Sequence, residues 1–161
     1  MVDRESLTLV SHSVSETRQL GALLGQLLEG QEVICLEGEL GTGKTTLIQA
    51  IGDAQGVSEP ITSPTFTLVN EYHSRSGTLY HVDLYRLESI AEIVQAGIDG
   101  SLYADGICVI EWAEKARGIL PVECLYIMLK HAGQEQRNIS IQAKGQRYCQ
   151  LLRRLKKALE S

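Results

Sequence analysis

Apolar positions fall in two rhythms along the chain, one helical and one extended, and their succession lays out the elements. After Ser13-Val-Ser-Glu16, which has the form of a capping box, Leu20, Leu23, Leu24, Leu27 and Leu28 recur at helical spacing until Gly30, a natural stop. Val33 to Leu36 is a short apolar run of β-preferring residues. Glycines follow at once, and then Lys44 to Ala54 places Leu47, Ile48, Ile51 and Ala54 on one helical face. The order is strand, glycine loop, helix.

Phe66 to Tyr72 and Thr78 to Tyr85 are β-rich and flank His73-Ser-Arg-Ser-Gly77, which predicts an antiparallel hairpin, with a longer connection as the alternative. Ser89-Ile-Ala-Glu92 offers a second capping box. It opens a short helix with Ile90, Ile93 and Val94 inward, ending at Gly97 before a loop from Asp99 to Gly106. Ile107 to Ile110 is apolar throughout, as in a parallel strand covered on both faces, and Leu125 to Leu129 and Ile139 to Ala143 are two further strands. The closing helix turns Tyr148, Leu151, Leu152, Leu155 and Leu159 inward. Arg153, Arg154, Lys156 and Lys157 face water, and they read as a solvated helix face in preference to a tRNA patch.

Composition narrows the class without changing this layout. Of 161 residues 43 % are hydrophobic and 22 % charged, the balance of an ordinary globular chain, and no repeat or linker divides it, so residues 1–161 read as a single domain. The net charge of -5 disfavours bulk binding of nucleic acid. The N-terminal MVDRESLTLVSHS has neither a basic leader nor an apolar core, and no apolar run approaches the roughly 20 residues that span a bilayer, so a cytoplasmic protein with no membrane contact is expected. Cys35, Cys108, Cys124 and Cys149 form no C-x-x-C pair and read as reduced, packed thiols.

Gly38-Glu-Leu-Gly-Thr-Gly43-Lys44-Thr45 satisfies G-x-x-x-x-G-K-[ST] in the strand-to-helix setting that the motif requires. Successive backbone N–H groups from Gly41, Thr42, Gly43, Lys44, Thr45 and Thr46 can then point into one concavity sized for phosphate oxygens. The helix N-terminus adds partial positive charge, Lys44 a full one near the β- and γ-phosphates, and Thr45 a hydroxyl for magnesium. A turn that merely packed tightly would have no use for a lysine at the helix start. No N-K-x-D guanine reader occurs, which favours ATP. The fold class is therefore α/β, a P-loop NTPase-like three-layer domain whose central, mostly parallel sheet carries an antiparallel hairpin.

A magnesium site on such a loop needs a carboxylate at a strand end. Asp83 follows Leu79-Tyr-His-Val82 and Glu111 follows Ile107-Cys-Val-Ile110. Glu111 ends the more apolar strand and is assigned to the metal. Asp83 is assigned to supporting the site or orienting the attacking water, with the swapped assignment left open. His81 alternates within its strand and reads as a structural histidine in preference to a base. In Ile61-Thr-Ser-Pro-Thr-Phe66 three hydroxyls cluster around Pro64, suited either to sensing a γ-phosphate or to simple turn chemistry before a strand.

Gly-Glu-Leu-Gly-Thr-Gly-Lys-Thr-Thr, Ser63-Pro-Thr-Phe-Thr-Leu-Val69, His81-Val-Asp-Leu-Tyr-Arg-Leu87 and Ile110-Glu-Trp112 occur in that order. This set resembles the TsaE family, also called YjeE, over roughly Ser13 to Ile141. The resemblance implies an ATPase required for threonylcarbamoyl modification of the adenosine beside the anticodon in tRNAs that read codons beginning with A. It would act with TsaB, TsaC and TsaD. It also implies metal ligation by Thr45 and Glu111, a cradle from Gly41 to Thr46, a second functional acid at Asp83, Trp112 near the nucleotide and Arg137 within reach of it. Ser13 to Thr17 would border the adenine, with no role for a single residue. The chain departs from the family at Ile90 to Leu102, which reads Val-Gln-Ala-Gly-Ile-Asp-Gly where an acidic, aromatic helix end is usual.

Three functions compete: a slow, partner-stimulated ATPase serving as a nucleotide switch with TsaB and TsaD, a nucleotide-gated binding module with incidental hydrolysis, and a small-molecule kinase. Short connections and dispersed arginines weigh against the kinase. Direct contact with tRNA is left open.

Overall fold

The computed structural model describes residues 2–64, 68–98 and 106–161. Seven strands join in one mixed sheet: β1 (Arg4–Ser11), β2 (Val33–Gly38), β3 (Val69–Ser74), β4 (Gly77–Asp83), β5 (Gly106–Glu111), β6 (Cys124–His131) and β7 (Arg137–Lys144), in the order β1-β7-β6-β2-β5-β4-β3. The four central strands β6, β2, β5 and β4 are parallel. Antiparallel strands flank them, β3 on β4 at one edge and β7 between β6 and β1 at the other. The expected parallel centre and hairpin are both present; the hairpin closes at Ser74–Gly77, and the Phe66 start expected for it lies outside the described residues. The loop expected from Asp99 also lies outside them as far as Gly106, which opens β5.

Sequence periodicity did not disclose β1. Arg4–Ser11 alternates between exposed and half-buried positions and pairs with β7 along its whole length, an edge strand with a weak apolar face. β5, by contrast, is buried at every position, as its apolar run requires.

Helices α1 (Val14–Leu27), α2 (Lys44–Ala54) and α4 (Gln146–Glu160) cover one face over Ile34, Leu36, Leu79, Ile107 and Val109. The other face, with Val33, Cys35, Val82, Cys108 and Ile110, is covered by α3 (Ile90–Gln95) and a 3-10 turn, Ala113–Ala116. Both capping boxes form. Ser13 Oγ accepts the Glu16 N–H and Ser89 Oγ that of Glu92, while the glutamates reach back to the N–H groups of His12 and Glu88. On the thicker face α1 lies directly against α2: a β-carbon on Gly21 would stand 2.7 Å from Ala50 Cβ, and one on Gly25 2.7 Å from the Ile51 carbonyl oxygen. This close approach brings the start of α1 beside the start of α2.

Two inward assignments are corrected. In α3 Ile93 is buried, but Ile90 and Val94 are 42 % and 45 % exposed, because six residues make under two turns and present one side chain to the sheet. Leu159, in the last turn of α4, borders an open groove with Leu9 and Val10 and keeps 38 % exposure. The basic residues of α4 are largely matched by acids of the body: Arg147 with Glu32, Arg153 with Glu5 and Arg154 with Glu29. All four cysteines are free and buried, and burial pushes the Cys108 thiol up to about 12. Among the described residues no helix is long and apolar enough to cross a membrane.

Candidate functional site

At the carboxyl ends of the parallel strands β2, β4 and β5 a cleft of about 490 Å³ opens. This is the side of an open α/β sheet on which ligands are held. The loop from Gly38 to Thr45 forms one wall. Gly41 and Gly43 adopt φ of +78° and +103°, a left-handed backbone that side chains disfavour. Gly43 is the N-cap of α2 and has no side chain with which to cap it, and the first helical bond runs from the Leu47 N–H to the Gly43 carbonyl. The N–H groups of Lys44, Thr45 and Thr46 thus precede the ladder and are left to an outside acceptor, the arrangement that suits an oxyanion.

Lys44 is buried to 5 % exposure, and its ammonium donates to the Gly38 carbonyl and lies 3.5 Å from the centre of the Trp112 ring. Burial lowers its pKa below the ordinary lysine value, against the opposing pull of Glu111, Glu114, Asp83 and Glu37. A site that desolvates a lysine gains most from an anionic ligand. Trp112 itself holds a left-handed backbone, φ +59°, immediately after Glu111, and its ring packs 5.1 Å from that of Tyr85. Such strain in a bulky residue is held by its surroundings. Lys115 contributes to them by donating to the carbonyls of Tyr85 and Leu87.

The same cleft is lined by the two acids. Asp83 and Glu111 end β4 and β5 in register with each other, on the face that α2 covers. Their settings differ. Asp83 is half-buried, accepts the Tyr85 N–H at 3.0 Å through Oδ1, and has its pKa raised first by burial and then by the Glu111 charge. Glu111 is 3 % exposed and accepts a 2.7 Å hydrogen bond from His81 Nε2. Among the described residues no three His, Cys, Asp or Glu side chains are grouped to hold a metal by themselves. Thr45 with one strand-end carboxylate, completed by ligand oxygens and water, is the donor set that magnesium favours, so the residues present fit that ion.

Gly41, Thr42, Gly43, Lys44, Thr45, Thr46, Asp83, Glu111, Trp112 and Arg137 all line this one cleft. Thr42 is 1 % exposed, and its hydroxyl and its N–H both donate to the Glu39 carbonyl. Arg137 braces the loop: Nε donates to the Thr42 carbonyl, Nη2 to that of Gly41, and Nη1 to carbonyls of the Gly133–Gln136 turn. Ser63 and Pro64 border the cleft, approached through Thr62, whose carbonyl accepts from Asn70 and Tyr72; Thr65 and Phe66 lie outside the described residues. Sequence reasoning missed Tyr85, Arg86 and Glu135 on the rim. It also left His81 without a partner, although its spacing of two from Asp83 places both on one face of β4.

Comparison with known proteins identifies the family and the fold. The family model described as "Threonylcarbamoyl adenosine biosynthesis protein TsaE" matches residues 11–139. The tRNA threonylcarbamoyladenosine biosynthesis protein TsaE of Treponema pallidum is 40 % identical over 132 residues, covering 82 % of this chain and 97 % of that relative. Its namesake from Bacillus subtilis is 38 % identical, with 83 % of each chain covered. The crystal structure of YdiB from Bacillus subtilis superposes with a TM-score of 0.78 at 33 % identity, over 98 % of this chain and 97 % of that one.

Proposed function

The chain belongs to the TsaE family of threonylcarbamoyl adenosine biosynthesis proteins, and on that premise we propose that it binds ATP with magnesium in the cleft around Lys44 and hydrolyses it slowly. It acts as a nucleotide switch with TsaB and TsaD in threonylcarbamoyl modification of the adenosine next to the anticodon, in tRNAs reading codons that begin with A. One juxtaposition supports the reading: an uncapped helix start with a desolvated lysine shares a single cleft with two strand-end carboxylates.

In this reading the N–H groups from Gly41 to Thr46 hold the phosphate oxygens, and Lys44 exchanges the Gly38 carbonyl for the β- and γ-phosphates. The Thr45 hydroxyl and Glu111 hold the metal. Magnesium, when bound, supplies charge neutralisation and in-line orientation of the triphosphate. Asp83 orients the water that attacks the γ-phosphorus as the bond to the β-phosphate oxygen breaks, and its raised pKa suits it to take up the water's proton. Trp112, Val14 and Thr17 border the remainder of the nucleotide, Arg137 keeps the loop in shape, and Ser63-Pro64 registers the γ-phosphate. Partners complete the site, so turnover by the chain alone is weak.

Nucleotide binding, ATP hydrolysis and reconstituted tRNA modification with TsaB, TsaC and TsaD test the reading together. Lys44→Ala should lose binding, and Asp83→Ala and Glu111→Ala should keep binding and lose both hydrolysis and modification. Rapid turnover by the isolated chain would overturn the partner-completed site. Loss of hydrolysis with binding and modification intact would replace the switch by a nucleotide-gated binding module.

A further inference from the structure

His81 is buried completely behind the cleft, and its one hydrogen bond among the described contacts is the 2.7 Å contact to Glu111 Oε2. Its other ring nitrogen, Nδ1, is buried and has no partner among the described residues. Those two facts set the tautomer. A carboxylate oxygen has only lone pairs to offer, so Nε2 carries the proton, and Nδ1 is left as an unpaired acceptor, which costs less than an unpaired N–H. The pairing is diagonal across the sheet: β4 and β5 run parallel with Asp83 opposite Glu111 and His81 opposite Val109, so His81, Asp83 and Glu111 share the face under α2.

A buried imidazole at this place would ordinarily be replaceable by an apolar side chain that fills β4 against the core. What distinguishes it is the choice of oxygen. With Oε2 engaged by His81, Oε1 is the oxygen left to serve the cleft that Glu111 lines. Among the described residues no other side chain donates to Glu111, and neighbouring Asp83 would push an unrestrained carboxylate away. Resting on the reading of Glu111 as a metal-holding group, we infer that His81 is a positioning residue, which fixes the rotamer of Glu111 so that Oε1 meets magnesium on the bound nucleotide. It touches neither nucleotide nor metal. Its part is that of an outer partner which orients a ligating carboxylate, where loss of such a group typically weakens metal affinity by about 10- to 100-fold.

The test reads metal requirement, with folding and metal-free binding as controls. ATP affinity is measured by calorimetry in EDTA and then across a magnesium titration, for the wild type, His81→Leu and His81→Gln. Leucine fills the space without a donor, and the glutamine amide returns an N–H near the position of Nε2. Expected for His81→Leu is ATP affinity in EDTA equal to wild type, with the magnesium midpoint moved up by about 10-fold or more. His81→Gln should return the midpoint to within a few-fold of wild type. A folded His81→Leu with the wild-type midpoint would overturn the inference, as would a midpoint that glutamine fails to restore. If His81→Leu does not fold, His81→Asn, too short to reach Glu111, takes its place against His81→Gln, and equal midpoints for that pair are the overturning result. Should wild-type binding show no magnesium dependence, the metal assignment of Glu111 falls and takes this inference with it. That outcome is distinct from a magnesium-dependent wild type whose histidine variants behave identically.

Discussion

The two faces of the sheet are built differently. One is covered by α1, α2 and α4, with α1 and α2 pressed together at Gly21 and Gly25. Among the described residues the other is covered by the six-residue α3 and a 3-10 turn, and Ile90 and Val94 stand exposed. Every charged group assigned to chemistry, Lys44, Asp83 and Glu111, stands at the cleft on the thicker face. The lesson is electrostatic as much as structural. Carboxylates and an ammonium can be held out of water only where dense packing forbids them to swing away, and the burial that shifts Lys44 and Asp83 is a product of that packing. The thinner face supplies backing through Val82, Cys108 and Ile110 and is free to be loosely covered.

Crowding the α1–α2 seam is the strongest way to break this contrast. The double variant Gly21→Val/Gly25→Val places side chains against Ala50, Ala54 and backbone carbonyls that cannot retreat, and the loss expected is about 4 kcal/mol or more. Urea unfolding should show it as a collapse of the midpoint, and a loss under about 1 kcal/mol would mean that the helices separate freely. On the thinner face, Ile93→Ala removes the one buried side chain that α3 presents to the sheet. About 2–3 kcal/mol is expected there. Hydrogen exchange should accelerate in α3 before it changes in α2; uniform acceleration would erase the distinction between the faces.

How far these features were legible in the chain depends on how local they are. The glycine loop, Lys44 and the first turn of α2 are encoded within a dozen residues, and both capping boxes announce helix starts in four. The ends of β4 and β5 were readable because an acid follows directly on an apolar run. What escaped depends on register between distant segments. His81 meets Glu111, 30 positions away, only because β4 and β5 pair in parallel with one particular offset. Arg137 reaches the Gly41 carbonyl across 96 positions because β7 packs beside β6. β1 escaped for another reason: an edge strand buries so little that Leu7 and Leu9 are its sole apolar signal on the inner face. A helix as short as α3 carries too few turns for periodicity to tell Ile93 from its neighbours.

A smaller effect sharpens the thicker face as a place where charge is strained. Asp83 has a folded pKa above its ordinary 3.8, so the folded chain binds this proton more tightly than the unfolded chain does. Stability therefore falls as pH rises from about that value through the raised one, and the cost is complete at neutral pH. Asp83→Asn removes the cost, and a Tm higher by roughly 1–3 °C at pH 7 is expected after allowance for its partial exposure. The gain should shrink as pH falls below 3.8, where Asp83 becomes protonated in both states. A lower Tm at pH 7 would show that the Tyr85 N–H bond outweighs desolvation.

The smallest effect belongs to the thinner face and tests its looseness most directly. Ile90 and Val94 are large, apolar and 42 % and 45 % exposed, on either side of a helix whose inward contact is Ile93. Were they part of the core, as their spacing suggests, Ile90→Ser and Val94→Ser would each cost several kcal/mol. Exposed as they are, each change should stay within about 0.5 kcal/mol of wild type, because little apolar area returns to water and Ser89 still caps the helix. Ile90 has the nearer neighbour, since a β-carbon on Gly118 would lie 2.9 Å from its Cδ1, so Ile90→Ser should cost the more of the two. Urea midpoints resolve that order, and a loss above about 1.5 kcal/mol at Val94 would mean that α3 packs more closely on the sheet than one buried isoleucine allows.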